Sequence, residues 1–129
     1  MLNKQLIQIQ LSLFFKSDFN GEFEIVSSSL KKHFKDLNSN VLGMLDNTPS
    51  DIPRLVANSS LTNINMSKSR INIFFKDFLF IQENLTKFTS LMKEFSIEVG
   101  RIGFVVTYFQ ESGVEYLTSV FDQSKTSNL

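Results

Sequence analysis

The feature that most constrains this chain is a change in the spacing of its apolar residues along the sequence. Between residues 6 and 15 apolar and polar residues alternate, which is the pattern of a strand with one buried face. Residues 22–37 instead place apolar side chains at steps of three and four, which form one stripe along a helix. This change of period predicts a fold that combines helices with a sheet.

The change from strand spacing to helix spacing occurs again in the centre of the chain. Apolar residues alternate around Ile64 and Met66 and again in 71–75, but their parity flips between the two runs, which predicts a bulge or a turn at 67–69. A short strand is also predicted near 54–58. Residues 77–98 then predict the longest helix, with an apolar stripe made of Phe78, Ile81, Leu85, Phe88, Met92 and Phe95.

The stripe of this longest helix has two interpretations. We expect it to lie on a sheet, with Leu85 and Phe88 both in the core, because Leu79, Phe80 and Leu91 make it wider than a coiled-coil seam. The alternative is a seam between two copies of the chain.

The last part of the chain predicts one more strand and a short helix. Residues 101–109 are apolar at both parities, which is typical of a strand covered on both faces. Ser112 and Glu115 have the spacing of a capping box, which predicts a C-terminal helix. Residues 123–129 have a single apolar side chain, Leu129, and predict a mobile tail.

The predicted element order is therefore β-α-β-β-α-β-α. Without its last helix this order is similar to that of ferredoxin-like domains, which implies a split βαβ sandwich with an antiparallel sheet. A chain of 129 residues can bury about two-thirds of its surface, enough for a single core. We predict one α+β domain over residues 1–122, including an extra C-terminal helix, followed by the tail.

The composition excludes several kinds of chemistry. The chain has no cysteine and therefore no disulfide, thiolate metal centre or cysteine nucleophile, and its single histidine, His33, cannot form a multi-histidine metal site. It also has no glycine-rich phosphate loop, serine nucleophile elbow or HExxH motif. We therefore expect no catalytic residues, no cofactor, no metal and no enzymatic activity.

Charge and hydropathy limit the kinds of partner that the protein is expected to bind. No apolar run reaches the roughly 18 residues of a membrane span, and the first residues lack the apolar core of a signal peptide, which predicts a cytoplasmic protein that does not bind membranes. The 13 basic and 13 acidic residues argue against nucleic-acid binding. The element order is similar to that of RNA-recognition domains, and Phe14 could stack on a base, but the basic and aromatic run 70–75 has no glycine.

Three arginines, Arg54, Arg70 and Arg101, each fall at or near the start of a predicted strand. Because the guanidinium group fits phosphate and carboxylate, a converging set would form an anion site. The alternative is three separate surface ion pairs. The two possibilities differ in whether the strands start at the same end of the sheet.

The 14 phenylalanines are more than a chain of this length usually has, which reflects either codon bias or an aromatic interface. The run 101–109 needs a cover on its second face, which the short C-terminal helix is too small to provide. We therefore predict a homodimer, or a complex with another protein, through an interface that contains Phe104, Val106, Tyr108, Phe109 and Phe121.

These observations favour a small protein-interaction or regulatory domain, of the inhibitor, antidote or accessory-subunit type, without catalytic activity. The alternative function is a small-molecule or anion-binding protein, or an acid–base enzyme, with its site on the open face of the sheet. In that case His33, Arg70 or Arg101 would act there.

Overall fold

The computed structural model describes the main chain of residues 4–110 and 116–122 and the side chains of residues 8–108. Nine elements follow one another in this part of the chain: β1 (Lys4–Phe15), α1 (Phe23–His33), β2 (Asn38–Val41), β3 (Leu55–Asn58), β4 (Thr62–Met66), β5 (Arg70–Phe75), α2 (Phe78–Glu94), β6 (Val99–Gln110) and β7 (Tyr116–Asp122).

The strands form one antiparallel sheet in the order β2-β3-β4-β5-β1-β6, to which β7 is added beside β6. β1 lies between β5 and β6, so neither of its neighbours in the sheet is its neighbour in the chain. α1 leads from β1 to the far edge at β2, and the next three strands return to β1 as a meander. α2 then leads from β5 to β6.

Both helices cover one face of the sheet. On β1 this face carries Ile9, Leu11 and Leu13, which are opposite apolar residues of β5 and β6 in the strand register. Val26 and Leu30 of α1 join the same buried cluster, as the predicted stripe requires. Leu37, which follows that helix, is buried as well.

The predicted stripe of α2 is only partly correct. Phe88 is 1% exposed and packs in the core with Leu91 and Met92, whereas Leu85 is 49% exposed and Phe78 is 45% exposed. The expectation that Leu85 lies in the core is therefore wrong. Because the apolar residues of this helix span more than half of its circumference, periodicity alone does not show which edge of the stripe meets the sheet.

Local hydrogen bonds explain where several elements begin and end. The predicted turn at 67–69 is confirmed, because the buried Ser67 Oγ accepts hydrogen bonds from the main-chain N–H groups of Ser69 and Arg70. The Asp77 carboxylate accepts from the N–H of Leu79 and caps the start of α2. Ser96, with φ 55°, ends the last turn of that helix in the left-handed region.

The structure corrects two parts of the predicted fold. The α+β mixture and the antiparallel sheet are present, but four strands rather than two lie between the helices, so the ferredoxin-like order is not confirmed. The extra C-terminal helix is wrong, since Tyr116–Asp122 is a strand paired with β6. The edge of β6 offers unpaired main-chain groups, which local helical spacing does not reveal. The capping box at Ser112 and Glu115 and the tail 123–129 lie outside the described residues.

No helix in the described ranges is long and apolar enough to cross a membrane.

The difference between Phe88 and Leu85 gives a stability test. We expect Phe88→Ala to lower the free energy of unfolding by about 3–5 kcal/mol because it leaves a cavity in the core. Leu85→Ala, the control on the same helix, is expected to cost less than about 1 kcal/mol, because its side chain is half exposed. Urea denaturation of both variants measures this, and equal losses would contradict the placement of α2.

Candidate functional site

The face of the sheet opposite the helices carries a row of two arginines and one phenylalanine. In the strand register Phe14 of β1 is directly opposite Arg70 of β5 on one side and Arg101 of β6 on the other. Directly opposite residues of antiparallel strands point to the same face. The three side chains therefore form one line across three strands, which we call the Arg–Phe–Arg row.

Phe14 is the centre of this row. The guanidinium carbon of Arg101 lies 3.9 Å from the centroid of the Phe14 ring, and that of Arg70 lies 5.5 Å from it. Both distances are in the range of cation–π contacts, each of which contributes roughly 0.5–1 kcal/mol at an exposed site. The two distances limit the separation of the guanidinium carbons to at most about 9.4 Å. Contact with the ring does not use the N–H groups of a guanidinium, which lie in its plane.

No carboxylate neutralises the row among the described side chains. Among the described side chains, Lys16 and Glu98 form an ion pair at 3.5 Å, and this pair does not involve the arginines. The Nε atom of Arg70 is buried and has no hydrogen-bond partner within residues 8–108. Two positive charges on one face, with no carboxylate beside them among the described side chains, raise the local affinity for anions.

A chain of hydrogen-bonded polar side chains lies next to the row, one step along the strands. Ser12 Oγ donates to Asn72 Oδ1 at 2.6 Å, and Asn72 Nδ2 donates to Asn65 Oδ1 at 2.9 Å. Gln10 Nε2 donates to Ser12 Oγ at 3.1 Å. Ser12 and Asn72 are buried although they belong to the face without helices. These bonds hold the polar floor of the site in one arrangement.

Gly103 occupies the β6 position opposite Ser12 and leaves that position without a side chain. It follows Arg101 by two residues and therefore lies on the same face. Its partner in β7 is Asp122, of which only the main chain is described. A Cβ atom at Gly103 would lie 3.4 Å from Phe14 Cε2 and 3.7 Å from Ser12 Cβ, so the Phe14 ring reaches over this position.

The structure brings together two of the three arginines that the sequence singles out. Arg54 directly precedes β3, but its guanidinium donates to the carbonyl oxygens of Thr48 and Pro49 at 3.0 and 3.1 Å. It therefore anchors the loop that leads from β2 to β3. Its Nε atom is buried without a partner in the described part of the chain.

The predicted interface residues lie mostly on the other side of the sheet. Val106 is buried in the core, and Phe104 and Tyr108 are half-buried against it on the helix-covered face. The opposite face of β6 carries Arg101, Gly103, Val105 and Thr107, so the second apolar face expected for this strand is largely polar or small. The side chains of Phe109 and Phe121 lie outside the described residues, although Phe121 is opposite Phe104 in the strand register.

His33, the remaining residue that the sequence singles out, stays separate from the row, since it is the half-buried last residue of α1. Within the described ranges, no group of three or more acidic or histidine side chains could hold a metal ion.

A groove of about 460 Å³ lies elsewhere in the molecule. It is lined by Leu61 and Leu79, and by the acidic residues Asp77 and Glu83. Two carboxylates beside one lysine, Lys76, do not favour an anion, so we place the candidate site on the Arg–Phe–Arg row.

No family model and no curated protein matches this chain.

The polar floor of the site can be tested by stability. Asn72→Ala removes the acceptor of Ser12 and the donor to Asn65, and we expect it to lower the free energy of unfolding by about 1–3 kcal/mol. Asn63→Ala, at an exposed position of β4, is the control and is expected to change it by less than about 0.5 kcal/mol. Guanidinium chloride denaturation measures both. If both variants changed the free energy of unfolding by the same small amount, the hydrogen-bond network would not stabilise the open face of the sheet.

Proposed function

We propose that this chain is a cytoplasmic binding domain without catalytic activity, and that the open face of its sheet binds an anionic ligand through Arg70 and Arg101. The observation that carries the proposal is the convergence of two arginines on Phe14, with no carboxylate beside them among the described side chains. This is the alternative function that the sequence left open, and the geometry supports it better than the other.

The arrangement of the row favours a ligand over a purely structural role. A guanidinium that only stabilised the sheet would gain more from a neighbouring carboxylate than from a phenyl ring alone, since charge-assisted hydrogen bonds are the stronger contact. Here both cations contact the Phe14 ring, which holds them in place. Such preorganisation lowers the entropy cost of binding.

The charge of the row fits one phosphate group. A phosphate monoester carries about −1.5 to −2 charges at pH 7, which two guanidinium groups can balance. A carboxylate has a single negative charge and would balance only one of the two guanidinium groups. Phosphate is also one of the two groups whose geometry the planar guanidinium fork matches.

Titration with inorganic phosphate and with pyrophosphate tests the proposal. We expect both anions, at constant ionic strength set with sodium chloride, to shift the amide NMR signals around Phe14, Arg70 and Arg101. Arg70→Ala and Arg101→Ala should each weaken pyrophosphate binding about 10- to 100-fold, because each removes charge-assisted hydrogen bonds worth about 1.5–3 kcal/mol.

The control variant is Lys32→Ala, which removes a positive charge from an exposed position on α1, in the helix layer on the other side of the sheet. It should bind pyrophosphate as the unchanged protein does. Shifts spread over all lysines and arginines, or equal effects of all three variants, would show general charge attraction and would reject the site.

A second candidate function, association with another protein or a second copy of the chain, has a specific observation in its favour. Phe78 and Leu85 are seven residues apart on the same side of α2, and both are about half exposed. The ring of Phe78 contacts that of Phe104 on β6, with 6.0 Å between the ring centroids. This joins the outer side of α2 to the predicted interface residues in one apolar surface.

Sedimentation equilibrium at micromolar concentration tests this second function. If the apolar surface forms a homodimer, the protein should sediment as a dimer, and Leu85→Glu should shift it to the monomer, because the carboxylate would be buried in the interface. Ile25→Glu, at a 53% exposed position of α1, is the matched control and should leave the dimer intact. A monomer of 14.8 kDa at all concentrations would exclude the homodimer.

A further inference from the structure

We infer that Asn20 is a site of spontaneous chemical modification, at which the side-chain amide is lost and an aspartate or an isoaspartate takes its place. Two neighbouring residues in the loop between β1 and α1 carry the inference. Asn20 supplies the amide, and Gly21 supplies the main-chain nitrogen that attacks it. The inference does not depend on the proposed anion site.

The reaction joins the main-chain nitrogen of Gly21 to the side-chain carbon Cγ of Asn20. The nitrogen gives up its proton, a bond from this nitrogen to Cγ forms, and the bond from Cγ to Nδ2 breaks with release of ammonia. Water then opens the resulting succinimide ring at one of its two carbonyl groups. Attack at Cγ gives aspartate, and attack at the main-chain carbonyl gives isoaspartate. The sequence of steps needs water and no oxidant or reductant.

The structure leaves both reacting groups accessible. Asn20 and Gly21 are exposed, and the N–H of Gly21 has no hydrogen-bond acceptor among the described residues. The amide of Asn20 donates to the carbonyl oxygen of Asp18 at 3.3 Å, which is long for such a bond. A cleft of about 250 Å³, lined in part by Ser96 and Glu98, lies beside the pair and gives water access to it.

The core requires the glycine that follows Asn20. A Cβ atom at Gly21 would lie 2.5 Å from Cζ and 2.8 Å from Cε1 of Phe19. The Phe19 ring is 8% exposed and packs edge-to-face against Phe23 and Phe95, with 5.3 and 6.0 Å between the ring centroids. Packing of this ring therefore excludes a side chain at position 21. A glycine in turn has no side chain that would hinder the approach of its nitrogen to Cγ.

The other exposed asparagines lack this combination. No other asparagine of the sequence is followed by glycine. After Asn47 the next main-chain N–H donates to the carbonyl oxygen of Leu45 at 3.1 Å, and after Asn58 it donates to that of Thr62 at 2.9 Å. In both cases the attacking nitrogen is held and its residue carries a side chain. Asn47 and Asn58, which are both exposed, are therefore internal controls.

The two products differ in their effect on the structure. Both add a negative charge to a chain whose net charge is zero. Isoaspartate also lengthens the main chain by a methylene group between two anchored points. One is Phe19, whose N–H donates to the carbonyl oxygen of Lys68 at 2.7 Å, and the other is Phe23, the buried first residue of α1. The isoaspartate form should therefore melt at a lower temperature than the aspartate form.

Incubation of the full chain in native buffer at mildly alkaline pH, followed by peptide mass mapping, tests the inference. Loss of the amide replaces NH₂ by OH and raises the mass of the peptide by that difference. Asn20 should convert at least about tenfold faster than Asn47 and Asn58, because its neighbour has neither a side chain nor a bonded N–H.

Two variants complete the test. Asn20→Gln, whose longer side chain would have to close a larger ring, should stay a single species in isoelectric focusing, while the unchanged protein gains an acidic one. Asn20→Asp has the new charge on a normal main chain. It marks the position of the acidic species and gives the melting temperature with which the isoaspartate form is compared.

Three outcomes would overturn the inference. Equal conversion of Asn20, Asn47 and Asn58 would show that amide loss is not specific to this loop. Conversion of Asn20 in urea but not in native buffer would show that the fold protects it. An acidic species that forms equally fast from the Asn20→Gln variant would arise from another residue.

Discussion

The pairing of β1 with β5 on one side and β6 on the other is the contact on which the rest of the molecule depends. β1 leaves its apolar residues on one face, where both helices cover them, and its polar residues and Phe14 on the other face. Both pairings join segments far apart in the chain, so they form only when the meander β2–β5 and the helix α2 have returned the chain to β1. The strand that organises the core thus also organises the candidate site.

This arrangement separates stability from recognition. The helix-covered face holds the buried leucine, isoleucine and phenylalanine residues. Replacing one of them by a smaller residue would lower the free energy of unfolding. The open face holds a hydrogen-bonded polar floor and two cations, which contribute little apolar burial. Along each strand the side chains alternate between the two faces. Residues two positions apart therefore lie on the same face, and adjacent residues lie on opposite faces. A side chain can therefore be altered on the open face without removing a core contact.

Several elements could be predicted from the sequence with good accuracy because their signals are local. The alternation in 6–15 and the stripe of α1 follow from contacts between residues close in the chain, and the parity flip at 67–69 follows from the geometry of a hairpin. Leu85 shows where such reasoning stops, because a helix that is apolar on more than half of its surface has no unique buried side until a sheet lies against it. The C-terminal segment shows the same limit, since its strand is formed by hydrogen bonds to the edge of β6.

The sequence by itself determined the α+β class, the absence of cysteine chemistry and the three arginines as the polar residues to examine. Only the tertiary structure decided which arginines converge. Arg70 and Arg101 flank Phe14 because the register of two non-local strand pairings places them opposite it. Arg54 instead donates hydrogen bonds to carbonyl groups of the loop that precedes it. Strand register depends on the sum of many contacts across the sheet, and no spacing within a single segment encodes that sum.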